Sequence, residues 1–436
     1  MKNSYFKYTY KIIFERTYFF MKKEYTFKDF AKKYSDSNPG NNIKISKNLK
    51  LSVDYEKTHH NSNFLIIGGG GSGVRRNYVI PNLLNPLNNT SYVCLDMGGE
   101  IVNETKESLE LNGYTINIFD LSKPLESKSY NPLDYIKSAN DVLFFVKTVL
   151  TYSVDSSDSF WINAEHKMLL AFMLLLINHG AELNLNRDIE TLVNLIRNFN
   201  TDEVMEEKKV FTGSAKYFEA IKHYGDKDIT NYYYKQCLLA AGRALKSVWI
   251  SVNAKLDSFN TAYQAVAVYT KNNRKIDLNS VLKPKTVLFI NLPMSHNTYN
   301  ILANIMLSQI FNIIMSTGPN KSNNNIRFVL PHIDVLSKIR ELEEIFPVHK
   351  SYNISFDIIV PNLKILKNIP APFTDYCDSL LYYGCSSYET NEYVSKLLGT
   401  KKDLTSFISP EELQGLDTNK CIYQLCGVPY FCDDKY

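Results

Sequence analysis

Phe64-Leu65-Ile66-Ile67-Gly68-Gly69-Gly70-Gly71-Ser72-Gly73-Val74-Arg75-Arg76 is the stretch on which the reading of this chain turns. Four consecutive large apolar residues read as a short buried strand. They run directly into five glycines and a serine, and a helix is expected from about Val74, broken near Pro81. Gly68 and Gly73 have the G-x-x-x-x-G spacing of a phosphate-binding loop between a strand and a helix. Glycines there let backbone N–H groups turn inward around an anion, and the helix N-terminus adds its positive dipole end. In a hydrolytic loop a Lys follows, reaching the β- and γ-phosphates, and then a Ser or Thr whose hydroxyl holds Mg²⁺. Val74 and Arg75 stand at those two places. Valine carries no charge, and a guanidinium has no lone pair for a metal. Gly68, Gly71, Ser72 and Gly73, with Arg75 and Arg76 as point charges, are the candidate anion-binding residues.

Outward from this stretch, strands alternate with helical segments. Residues 91–96 form a second expected strand ending in Asp96, and 114–119 a third. From 136 to 274 the pattern is helical, with the strongest run at 160–178, FWINAEHKMLLAFMLLLIN. Short apolar runs then return at 286–292, 326–330, 356–360, 380–383 and 421–425. The pattern predicts an α/β fold with a mostly parallel sheet. Three parts are expected: a basic N-terminal segment over 1–60 without transmembrane helices, the α/β domain over 61–135 and 275–436, and an inserted all-α domain over 136–274. A metal-dependent hydrolase would also need an apolar strand ending in Asp and Glu, for the metal and the attacking water. The strand at 326–330 ends in Pro331-His332, and the nearest acid, Asp334, lies past it. Asp96 is the other candidate, as a carboxylate steering a cation or as a turn former. No metal site is expected.

The 436 residues are 44% hydrophobic, 13% aromatic and 22% charged, a composition that folds rather than one that stays disordered. The formal net charge of +4 neither demands nor excludes a nucleic-acid partner. Lys22, Lys23, Lys28, Lys32, Lys33, Lys44, Lys47 and Lys50 crowd the first fifty residues, as a solvated surface or a phosphate-tracking arm. Seven cysteines without a C-x-x-C pair read as reduced, buried thiols of a cytoplasmic protein. No apolar run reaches the roughly 20 residues of a membrane span.

The ordered motifs resemble those of conjugative coupling proteins of the TraG/TraD type, over about residues 43–436. The segment from Ile45 through the glycine loop to Pro81-Asn82-Leu83-Leu84 is similar to their entry strand, loop and helix. Asp96-Met97-Gly98-Gly99-Glu100 resembles their D-P-K-G-E turn. Phe119-Asp120 with Asn131-Pro132-Leu133 resembles their third strand and N-P motif. Phe160-Trp161 and Ala240-Ala241-Gly242 resemble the two ends of their all-α domain. The resemblance implies a RecA-like P-loop NTPase fold and a hexameric ATPase at the inner face of the membrane, passing a relaxase–DNA cargo to a secretion channel. The family's Lys, Thr, Asp–Glu and Gln fall on Val74, Arg75, Pro331-His332 and Pro361. A pseudo-ATPase is therefore expected, holding ATP without hydrolysis or no nucleotide at all. It is expected in a homo- or hetero-oligomeric ring with paralogues, with DNA as a further candidate partner and attachment to the membrane through partners. The alternatives are a divergent active ATPase motor and a nucleotide-independent DNA-binding scaffold.

Overall fold

The computed structural model describes residues 25–123, 127–153, 159–206, 208, 210–267, 275–294, 299–319, 324–333, 339, 341–368, 373–399 and 406–436. They fall into two compact units. The first comprises the residues up to Ile118, Asp277–Leu292 and Ile310–Tyr436; the second comprises Phe119–Ile276 and Pro293–Gln309. The second unit thus takes two segments, 119–135 and Pro293–Gln309, that the composition pattern assigns to the α/β part.

The first unit is built on a nine-stranded sheet in the order β11-β10-β9-β3-β8-β7-β4-β6-β5. Its strands are β3 (Phe64–Ile67), β4 (Thr90–Met97), β5 (Thr115–Asp120), β6 (Thr286–Leu292), β7 (Asn325–Pro331), β8 (Ile354–Val360), β9 (Ser379–Tyr382), β10 (Lys420–Leu425) and β11 (Phe431–Asp434). The strands from β9 to β6 pair in parallel, while β10 and β11 pair antiparallel at one edge. All four side chains of β3 are buried, as a strand lying between two parallel neighbours requires.

Residues 25–60 are more than a basic arm. Helix α1 (Phe27–Tyr34) is closed by a capping box between Thr26 and Asp29. It buries Phe30 and Tyr34 in the same core as Phe64, Tyr423 and Phe431. A small hairpin, β1 (Asn42–Lys44) with β2 (Lys50–Ser52), adds Ile43 and Leu51 to that core. The aromatic ring edges decide this placement: Phe30 meets Phe431 at 5.3 Å and Tyr423 at 5.9 Å. Lys28, Lys32 and Lys33 stay exposed on the opposite side of α1.

Pro81 does not break the helix that follows the glycine loop. Helix α2 opens as a π turn over Arg75–Val79 and continues as an α-helix over Ile80–Leu84, with Pro81 in its first turn. The Ile80 N–H reaches back to the Arg75 carbonyl, five residues away. The widened turn makes room for a ring that has no N–H and would crowd the preceding turn. Three cysteines also depart from the expected burial, Cys377 being half-buried. Cys426 and Cys432 are exposed, one in the β10–β11 turn and one on the outward face of the edge strand, while Cys94, Cys237, Cys385 and Cys421 are buried.

Below the glycine loop lies a buried ion pair. Arg327, third in β7, meets Asp357, fourth in β8, through Nε–H to Oδ2 at 2.7 Å and a second bond from Nη2. The Tyr78 hydroxyl of α2 donates to Asp357 Oδ1 at 2.7 Å. Arg327 Nη1 donates to the Ser62 carbonyl at 3.2 Å and to Ser355 Oγ at 3.1 Å. Asp357 raises the Arg327 pKa against the lowering that burial alone would give. Burial, and then the Asp357 charge, push the Tyr78 hydroxyl well above its usual range.

The second unit is helical: α4 (Ala139–Ser153), α5 (Ser159–Leu174), α6 (Ile189–Arg197), α7 (Ile229–Ala241) and α8 (Leu245–Ala267). Helix α5 runs on through a π turn over Leu175–His179. The 21 residues of Ser159–His179 are long and apolar enough for a membrane span, against the expectation from run length. Met168 to Leu176 are all buried in the unit, packed by α4, α7 and α8, so this is its core helix. A buried Glu165–Lys255 pair, with the Ser251 hydroxyl on the same carboxylate, fixes α5 to α8.

Removing one partner of the Arg327–Asp357 pair strands a buried charge. Arg327→Leu is expected to cost about 3–5 kcal/mol in urea unfolding, and the double replacement Arg327→Met with Asp357→Leu to recover most of it.

Candidate functional site

The glycine loop leaves the sheet at the carboxyl ends of three adjacent strands, where open α/β sheets hold their ligands. The Gly68 N–H donates to the Val360 carbonyl of β8 and the Gly69 N–H to the Gly384 carbonyl beyond β9, both at 2.9 Å. The Ser72 N–H closes the loop on the Gly69 carbonyl at 3.0 Å. Gly71 and Gly73 take φ of 80° and 82°, where a side chain is strained. Asn77 of α2 ties down the end of the loop, giving its N–H and its side-chain amide to the Gly73 carbonyl, each at 2.9 Å. The N–H groups of Gly70, Gly71 and Gly73 meet no acceptor among the described residues. A Cβ on Gly70 or Gly71 would meet nothing within 4 Å, so this side of the loop is open. Free N–H groups on an open loop suit an anion.

Val74 points back into the loop. Its Cγ2 lies 2.4 Å from where a Cβ on Gly68 would stand, and the side chain is buried. A methyl group thus packs where a lysine stem would leave the loop. Arg75 pairs with Glu100, the first residue of helix α3 (Glu100–Leu111). The turn that delivers Glu100 needs Gly98 and Gly99, at φ 79° and 76°. Arg75 Nε is buried and has no acceptor among the described residues. Arg76 is exposed on α2. Asp96, 1% exposed, accepts the Val102 N–H at 2.9 Å and so caps α3. Its strand β4 is separated from β3 by β8 and β7.

Pro331 closes β7 and pairs with Ile359 of β8, and His332 follows in the left-handed region at φ 59°. Neither offers a carboxylate. Asp334 lies outside the described residues. Pro361 follows β8, and its carbonyl accepts the Cys385 thiol at 3.2 Å. Among the described residues no three His, Cys, Asp or Glu side chains converge as metal ligands. The donor set fits a phosphate and does not fit a hydroxyl-held Mg²⁺.

The family model for type IV secretory system conjugative DNA transfer matches residues 23–411. The chain belongs to that family. No curated protein sequence matches it. Among solved structures it is similar to the bacterial conjugative coupling protein TrwBΔN70 in its trigonal form with sulphate. That match has 14% identity, covers 94% of this chain and 92% of the other, and has a TM-score of 0.68. TrwB with the ATP analogue ADPNP matches at 13% identity and the same coverage, with a TM-score of 0.67. VirB4 of Thermoanaerobacter pseudethanolicus matches at 13% identity, over 92% of this chain and 97% of that one, with a TM-score of 0.51. The likeness establishes the RecA-like α/β P-loop fold.

In this coupling-protein fold the structure gathers Gly68, Gly71, Ser72, Gly73, Val74 and Arg75 at one loop. Pro331 and Pro361 end the two strands next along the sheet from β3. Sequence reasoning left two contributors unassigned. Glu100 stood in the quoted turn, and its acidity opposite a basic loop was the available signal. Lys435 donates to the Ser72 carbonyl at 2.8 Å, and nothing in a lone lysine 363 positions away announced it.

Gly73→Ala meets both a positive φ and Asn77 Nδ2 2.5 Å from the new Cβ. It is expected to lower stability by roughly 1–2 kcal/mol in urea unfolding, while Gly70→Ala, in open space, costs roughly 0.5 kcal/mol at most.

Proposed function

We propose that this chain is a non-hydrolysing coupling subunit of a conjugative type IV secretion system. Its glycine loop grips the phosphates of a nucleotide as a structural ligand. The observation that carries this reading is the chemistry of the two positions that end the loop, where buried, apolar Val74 and the guanidinium of Arg75 stand in place of a lysine and a hydroxyl. In a working loop the residue after the lysine contributes a hydroxyl to Mg²⁺. Here that residue is a cation with its own carboxylate partner, and a guanidinium repels a divalent ion rather than ligating it.

The rest of the site agrees in chemistry. The loop amides of Gly70, Gly71 and Gly73 supply donors for phosphate oxygens. Among the described residues, Pro331 and His332 follow the apolar run of β7 where a hydrolase carries its acids. Solved TrwB structures hold sulphate and the nucleotide analogues GDPNP and ADPNP, which supports phosphate as the ligand class at this fold's loop. The nucleotide of a RecA-like ring lies between neighbouring subunits. A member that binds without turnover therefore still orders its neighbours, and a ring shared with a hydrolysing paralogue is the arrangement we favour. The cargo is a DNA–relaxase complex, delivered to the channel from the cytoplasmic face of the membrane, to which the chain attaches through partners.

The purified chain is expected to release no phosphate from ATP above background, with or without Mg²⁺. Val74→Lys with Arg75→Thr is expected not to restore turnover, because the acids at the end of β7 are still missing. Mg²⁺-dependent phosphate release that copurifies with the chain and vanishes in Gly73→Val would overturn the proposal.

A further inference from the structure

The end of β11 reaches the glycine loop. The Lys435 ammonium donates to the Ser72 carbonyl at 2.8 Å, the Thr418 carbonyl at 2.6 Å and, at the long distance of 3.5 Å, the Tyr383 carbonyl. It also lies 4.9 Å from the centre of the Tyr383 ring. Its three protons are thus spent on the protein, and none is left for a ligand.

The segment that carries Lys435 is held firmly. Asp433 accepts from Ser46 Oγ at 2.7 Å and from the Asn48 N–H and side-chain amide, both at 2.9 Å. The Lys47 N–H donates to the Asp434 carbonyl at 3.1 Å, and the Lys435 N–H to the Asn419 carbonyl at 2.8 Å. A charge-assisted bond from so fixed a base sets the direction of the Ser72 carbonyl. The peptide between Ser72 and Gly73 is planar and trans, so its N–H points opposite to its C=O. Lys435 therefore turns the Gly73 N–H away from itself. Gly73 is one of the loop residues whose N–H has no acceptor among the described residues.

We propose that Lys435 is a positioning residue for phosphate: by holding the Ser72 carbonyl it presents the Gly73 N–H to a phosphoanion in a loop that has valine in place of its lysine. This rests on the nucleotide-clamp reading above. It gives the basic residue at the loop an indirect role, setting a backbone donor rather than touching the ligand.

The test is titration of the full chain with a fluorescent N-methylanthraniloyl ATP, in wild type, Lys435→Met and Lys435→Arg, with thermal unfolding of each. The expected result is binding by wild type, about 10-fold or more weaker binding by a Lys435→Met that still unfolds cooperatively at a somewhat lower melting temperature, and near-complete rescue of both by Lys435→Arg. Wild type that binds no nucleotide sinks the clamp reading, and this inference with it. Wild type that binds while Lys435→Met binds equally well overturns the inference alone. If the variants at 435 do not fold, amide exchange on the wild-type chain decides: ATP must slow exchange at Gly73, and unchanged exchange there overturns the proposal.

Discussion

The bond between Arg327 and Asp357 fixes where the glycine loop stands. It joins β7 to β8 across the strand direction, and through the Tyr78 hydroxyl it takes hold of α2, the helix on which the loop ends. Both charges are 3% exposed, so the pair replaces a large hydration energy with mutual attraction and further hydrogen bonds. Such a pair adds little net stability over well-packed apolar residues, but it is intolerant of misalignment. A shift of β8 against β7 by one residue would break both carboxylate bonds and free Tyr78. The register of the central strands and the seat of the loop helix are in this way one constraint. Phe64, the first residue of the glycine-loop strand, lies under the same guanidinium at 5.7 Å.

Above that layer the charges are arranged differently. Arg75 and Glu100 are a partly exposed pair, screened by water and worth little to stability. Their importance is chemical, since they put a fixed cation and its counter-charge where a hydroxyl and a metal would work together. Val74 fills the lysine's place with buried apolar surface, and Lys435 restores a cation from the far end of the sheet, bound to carbonyls. The loop keeps the backbone geometry of a phosphate site, with Val74 and Arg75 in place of a lysine and a hydroxyl.

Much of this was legible in the sequence, and for physical reasons. The apolar run 64–67 ends abruptly in glycine, and the structure places β3 on those four residues. Residues 286–292 were equally sharp, because a strand covered on both faces has no polar position to blur its ends. Other features depended on distant contacts. Pro81 reads as a breaker until the π turn over Arg75–Val79 absorbs it. The lysines at 28, 32 and 33 read as a solvated surface or an arm, and they stay exposed on a helix whose Phe30 packs on β10 and β11. Arg327 and Asp357 carried a signal that went unused: opposite charges inside two otherwise apolar strands call for each other. Lys435 carried none, because its role depends on a carbonyl rather than on another side chain.

The most direct test of the account is calorimetric titration of ATP into the purified chain, once with Mg²⁺ and once with a chelator. A loop that grips phosphate through backbone amides predicts binding in both, with the same affinity. Binding that requires Mg²⁺, or heat that appears in neither titration, would contradict it.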